Sequence, residues 1–236
     1  MSAALDFPPL LWGEEVEMGG DAFEHACLRA TMGCEAGLVA YRLAPDVLQA
    51  ALVFAPEVPL SRAMVMLPLC GVGFQNALGV LAPPEVGVHL DWSGGIRVNG
   101  AACGRLRALA SDPAPDAVPD WLVVGFTLPL IPPGDRPGDT PDQTALFAEG
   151  CADVSPPALV EAWARHSLNW INRWEAEGPR VLHSEWRGIA HGLGEETGQD
   201  GRSGTFLGVD EGFGMLLRDD ATTHLIPLTT LLEDRP

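Results

Sequence analysis

Lysine does not occur in this chain. Aspartate and glutamate number 32 against 14 basic residues, all arginine, giving a formal net charge of −18 over 236 residues. Any mechanism that needs a side-chain ammonium is excluded by that absence alone. Non-specific affinity for nucleic acid comes from neutralising phosphates, so so acidic a chain is not expected to bind DNA, RNA or an anionic membrane surface. No run of about 18 apolar residues is uninterrupted; the best stretches are cut by Pro56, Arg62 or Pro68. The opening MSAALDFPPLLWGEEVE has no basic segment of the kind that starts a secretory signal. Cysteines are five, an odd number, without a Cys-x-x-Cys pair or a His-x-His spacing. That usage fits reduced thiols in a cytoplasmic protein, and neither a disulfide frame nor a metal site is expected.

What is present is enough apolar material, 47% of residues, for one full core and a small appended unit. Phe23, Ala26, Cys27 and Ala30 recur at helical spacing within 21–33, with Gly33 as a stop. GLVAYRL (37–43) and LQAALVFAPE (48–57) read as strands joined by a short link. Residues 61–80 read as a buried helix, bent or delayed by Pro68. Strands are expected near 86–92, 95–99 and 102–109, the last two joined by Asn99-Gly100, a pair suited to a two-residue hairpin. WLVVGFTLPL (121–130) is a further apolar strand, and IPPGDRPGDTPDQ (131–143) an irregular loop.

Ser155-Pro156-Pro157 starts a helix that runs to about 177, with Leu159, Trp163, His166, Trp170 and Trp174 on one stripe. Such a stripe is a core face, and His166 within it is a packed residue. Gly178-Pro179 marks a boundary, after which EWRGIAHGL, SGTFLGV, FGMLLRD and TTHLIPL read as short strands. His183, His191 and His224 are scattered there without ligand spacing. The fold class is α+β: a mixed sheet flanked by helices over residues 1–178, then a small C-terminal β-barrel over 179–236.

The order of these elements, together with several short motifs, resembles the biotin and lipoate protein ligase superfamily, biotin protein ligases most of all. VHLDWSGGIRVNGAACGRLR resembles that family's Lys-Trp-Pro-Asn-Asp hairpin, with Trp92, Ile96, Val98, Asn99, Gly100 and Gly104 at matching positions. LQAALVFAPEVPL, WLVVGFTLPL, TALFAEG and GTFLGVDEGFGMLLRD resemble four further family segments, in order, over roughly residues 12–232. The resemblance implies ATP-dependent activation of a carboxylate, an acyl-adenylate, and transfer of the acyl group to a carrier-domain lysine.

The supporting charges differ from that pattern. The glycine- and arginine-rich loop that closes over the adenylate is reduced to about LAPDV, where Arg42 is the nearby cation and Asp46 has the wrong sign for phosphate. Lys-Trp-Pro-Asn-Asp becomes Asp91-Trp92-Ser93-Gly94-Gly95, and the hairpin lysine falls on Ala102. One lost electrostatic contact of this kind costs roughly 10²–10³ in rate. The expectation is a family member without classical ATP-dependent ligation, acting as a binding or interaction module for a biotin-, lipoyl- or other acyl-type ligand, or for a biotinyl or lipoyl carrier domain, with no cofactor required. The alternative is a ligase or acyl transferase with rebuilt chemistry.

Candidate residues follow from the hairpin. Trp92, Gly94 and Gly95 shape either a flat slot for a ring or the hairpin's own packing. Asn99 and Gly104 belong to the same inherited outline. Arg97 and Arg105 either hold an acyl carboxylate or are solvated. Cys103 is the candidate nucleophile for a thioester route, activated by Arg105 or Arg97, or else a small half-buried strand residue.

Overall fold

The computed structural model describes residues 5–17, 19–132 and 142–234. Most of the loop expected at 131–143 lies outside them. The order of elements begins β1 (Trp12–Glu15), α1 (Ala22–Thr31), β2 (Leu38–Leu43) and β3 (Val47–Phe54). It continues with α2 (Leu60–Ala63), α3 (Met66–Leu81), β4 (Val88–Leu90), β5 (Gly95–Val98), β6 (Ala101–Ala110) and β7 (Leu122–Pro129). Then come α4 (Pro156–Glu177), α5 (Pro179–Ile189), β8 (Glu196–Gln199), β9 (Arg202–Val209), β10 (Met215–Arg218) and β11 (Thr223–Ile226).

The first seven strands form one mixed sheet in the order β1-β2-β3-β7-β6-β5-β4, parallel at β1–β2 and antiparallel elsewhere. Its two faces carry different loads. Leu48, Leu52, Val124 and Phe126 point to the side covered by α3 and α4. There Trp163 is fully buried, meets Phe126 edge-on at 5.0 Å and donates its indole N–H to the Cys70 carbonyl at 3.1 Å. The opposite face, with Leu38, Ala51, Val53 and Val123, is covered by α1 through Phe23, Ala26 and Ala30.

Local chemistry explains the element ends. The Asp21 carboxylate accepts from the Phe23 and Glu24 amides and starts α1. Pro68 falls in the first turn of α3, where a missing N–H costs nothing, so the apolar stretch breaks into α2 and a delayed α3. By length and composition Leu60–Leu81 suffices to cross a membrane, yet 72% of its most apolar window is buried inside the protein as the core layer under α4. Ser155 is the N-cap of α4 but makes no side-chain cap bond, because Pro157 removes one amide a capping oxygen would take.

The strand expected at EWRGIAHGL is helix instead. Pro179 opens α5, and Leu182 and Trp186, four residues apart, bury one helical face. The remaining segment forms a second, antiparallel sheet in the order β11-β10-β9-β8, with a bulge at Leu216/Leu217. Among the described residues β8 and β11 are not paired, so this sheet does not close on itself. It docks on α5 through Phe213, buried between the rings of His183 and Trp186.

Candidate functional site

The hairpin β5–β6 forms as its sequence requires. Asn99 at φ 51° and Gly100 at φ 89° make the turn with both central residues left-handed. The Asn99 side chain is used twice, accepting from the Gly87 amide at 2.9 Å and donating to Glu149 at 2.9 Å. A Cβ on Gly104 would lie 2.6 Å from the Thr127 carbonyl, so a glycine lets β6 and β7 approach.

Asp91 and Gly95 fit one another. The Asp91 side chain lies in the space a Cβ on Gly95 would need, so an acid at 91 and a glycine at 95 go together. Asp91 accepts from Arg97 Nε at 2.8 Å and sits 3.2 Å from His191 Nδ1. Arg97 also donates to the Gly100 carbonyl. Arg97 is therefore committed to the hairpin's own ends.

Trp92 is buried and donates its indole N–H to the Phe213 carbonyl at 2.8 Å. The space beside it, lined by Trp186, Phe213, Leu106 and Gly94 among others, is a cavity of ≈ 10 Å³. That is the size of about one water, so the slot for a flat ring is not open here. Gly94, at φ 91°, brings its backbone against the Leu106 carbonyl. A larger open groove of ≈ 1120 Å³ lies elsewhere, between Leu10, Pro56, Arg62, Met66 and Trp174. None of the candidate ligand-binding or catalytic residues of the hairpin lines it.

Cys103 is 2% exposed. Burial pushes its thiol up to about 12, and nearby Glu149 and Cys151 act in the same direction. Neither Arg97 nor Arg105 contributes, since each is turned to a carboxylate. A thiol this basic is almost wholly protonated at neutral pH and is a poor nucleophile. Burial likewise pushes the Cys27 and Cys70 thiols up to about 12. Among the described residues no group of three or more His, Cys, Asp or Glu is placed to hold a metal ion.

Strand alternation brings a polar row together on the α1 face of the sheet. Arg42, Gln49, Thr127, Arg105 and Gly95 are successive cross-strand partners. Arg107 stands one step along on the same face, its guanidinium 4.3 Å from the centre of the Phe23 ring. Gln49 accepts from the Ala22 amide and donates to Asp21. The Glu233 carboxylate closes the group, taking three bonds from Arg107 at 2.7–2.9 Å and one from Arg105 Nη2 at 2.6 Å. These contacts hold the Arg107 charge firmly, the Glu233 bonds most of all. The Arg-x-Arg alternation was visible in the sequence, whereas Gln49, Asp21 and Glu233 carried no local signal.

At the other end of this face β2 and β3 are joined by Ala44-Pro45-Asp46, with Ala44 N bonded to the Val47 carbonyl. The Asp46 carbonyl accepts from the Leu130 amide, which pins the link to the end of β7. No glycine-rich segment lies here to fold over a phosphate.

Residues 7–188 match the Biotin/lipoate A/B protein ligase family model. The chain belongs to that family. Residues 193–234 match a second model, a domain of unknown function (DUF4444), so from this second segment Phe213 reaches α5 and Trp92, and Glu233 reaches β6, of the ligase-family segment. A biotin–[acetyl-CoA-carboxylase] ligase of Paracoccus denitrificans is 24% identical over 182 residues, 75% of each chain. A biotin protein ligase-like protein of unknown function from Silicibacter sp. TM1040 is 65% identical with a TM-score of 0.93, covering 98% of this chain and 100% of that one. A biotin protein ligase of Aquifex aeolicus solved with biotin shares the fold at a TM-score of 0.69 and 16% identity, over 92% and 94% of the two chains.

Proposed function

We propose that this member of the biotin/lipoate ligase family has lost adenylation and serves as a binding module for a small acyl carboxylate of the biotin or lipoate type, or for the carrier domain that bears one. The carrying observation is the tight link Ala44-Pro45-Asp46, in a chain without lysine, where the resemblance implies a phosphate-binding loop. Stabilising the charge of a transferring phosphoryl or adenylyl group takes preorganised cations or amides, and each one removed costs roughly 10²–10³ in rate. Ala102 stands where the resemblance implies an ammonium, and Asp91 where it implies another. The carrier-domain partner is supported by the carboxylase named for the Paracoccus denitrificans relative.

A thioester-forming transferase is disfavoured by the buried Cys103 thiol at about 12. Incubation with ATP, magnesium and biotin, lipoate or octanoate is expected to release no pyrophosphate above background. Stoichiometric pyrophosphate release with any of these acids would overturn the reading.

A further inference from the structure

The contact between Glu233 and the arginines of β6 has the geometry of a bound ligand. Arg105 and Arg107 project from one face of one strand and converge on a single carboxylate, with the fork of Arg107 engaging both of its oxygens. We propose that Arg105 and Arg107 form a carboxylate-binding site that Glu233 occupies from within the chain, leaving the protein self-blocked until Glu233 is displaced.

Several features separate this arrangement from a simple surface ion pair. Arginine is scarce here, 14 against 32 acids, yet Arg42, Arg105 and Arg107 share one face of the sheet. Arg42 Nε, on the same cross-strand row as Arg105, is buried without a hydrogen-bond partner among the described residues. Among the described residues the backbone of the segment carrying Glu233 meets β6 through a bridge from Leu232 to Ala108, with the Glu233 amide bonded to the Ala108 carbonyl. It meets β6 just past the reach of β5, whose pairing with β6 ends at Arg105. Displacing the Glu233 side chain alone breaks its four bonds to Arg105 and Arg107 and leaves Leu231 and Leu232 packed on the core.

Charge also sets the ligand class. Asp21 stays 3.4 Å from Arg107 Nη1 when Glu233 leaves, and Glu24 also acts on Arg107, so a singly charged ligand meets less repulsion there than a dianion. A monocarboxylate fits, and a phosphate dianion would meet Asp21. The proposal rests on the binding-module reading and adds to it the residues that hold the ligand and the residue that competes.

A tethered competitor weakens an outside ligand by the fraction of time the site is open. Titration calorimetry with octanoate, whose sole polar group is its carboxylate, compares the natural protein with Glu233→Gln, and octanamide serves as the uncharged control. Octanoate is expected to bind the variant at least tenfold more tightly, roughly a site open one tenth of the time in the natural protein. Octanamide should not distinguish the two, and adding Arg105→Gln should cancel the gain. If Glu233→Gln fails to fold, Glu233→Asp keeps the charge but withdraws it by about 1.5 Å and should give a smaller gain. Equal octanoate affinity in the natural and variant proteins, or a gain that survives Arg105→Gln, overturns the self-block and leaves the module reading standing. Binding to neither overturns the carboxylate site itself. Pyrophosphate release would instead overturn the module reading, whatever Glu233 does.

Discussion

Trp92 and Phe213 stand 121 residues apart in the chain and are joined by a hydrogen bond of 2.8 Å from indole N–H to backbone carbonyl. Phe213 presents that carbonyl from a left-handed conformation, φ 62°, which a bulky residue adopts only when its surroundings hold it there. Trp92 thus fastens the second sheet to the first. The aromatic ring that the sequence offered as either a slot wall or hairpin packing is used as a structural tie.

Trp92→Phe keeps most of the ring's bulk and removes the donor, leaving a buried carbonyl unpaired. A loss of about 1–3 kcal/mol is expected in urea unfolding. Trp92→Ala should cost about 3–5 kcal/mol. A change within about 0.5 kcal/mol for both, as for an ordinary surface position, would show that the tie contributes nothing.

Cys103 should resist alkylation. With its thiol near 12, the thiolate fraction at pH 7 is on the order of 10⁻⁵. Iodoacetamide at pH 7 is expected to label Cys103 only slowly in the native protein and readily in denaturant, as read by peptide mass. Rapid native labelling that depends on Arg105 would point to an activated thiol and to transfer chemistry.

Acid should act at the β10–β11 turn. The His224 bond, with the Thr222 and Ala221 amides behind it, lowers the Asp219 carboxyl to about 2 from 3.8. A carboxyl depressed in the folded state stabilises above its unfolded value and loses that contribution as pH falls towards its folded value. Asp219→Asn keeps an acceptor for the two amides and drops the charge. Its melting temperature should fall below that of the natural protein at pH 6 and converge with it between about pH 4 and 2. A constant difference over that range would mean the His224 contact carries no charge-dependent stability.

Much of the fold was legible because its signals are local. Asn99-Gly100 dictates a turn, Leu159, Trp163 and Trp170 a buried helical stripe, and Pro68 a helix delayed to its first turn. The reading failed at α5, where Gly188 and Gly192 look like turn punctuation while Leu182 and Trp186 supply the helical period that decides. At the candidate site, sequence placed the hairpin residues but not their partners. Arg105 pairs with Glu233 from 128 residues away and Arg97 with Asp91. The first pairing is set by where the C-terminal segment meets β6, which no local window contains, and the second, only six residues apart, by the register of β4 on β5.

The proposed loss of adenylation is tested most directly by calorimetric titration of the natural protein with ATP, with and without magnesium. With Ala44-Pro45-Asp46 in place of a phosphate loop and a net charge of −18, dissociation is expected at millimolar concentration or weaker in both conditions, a binding free energy no better than about −4 kcal/mol. A micromolar dissociation constant in either condition, about −8 kcal/mol, would show a working nucleotide site and contradict the account.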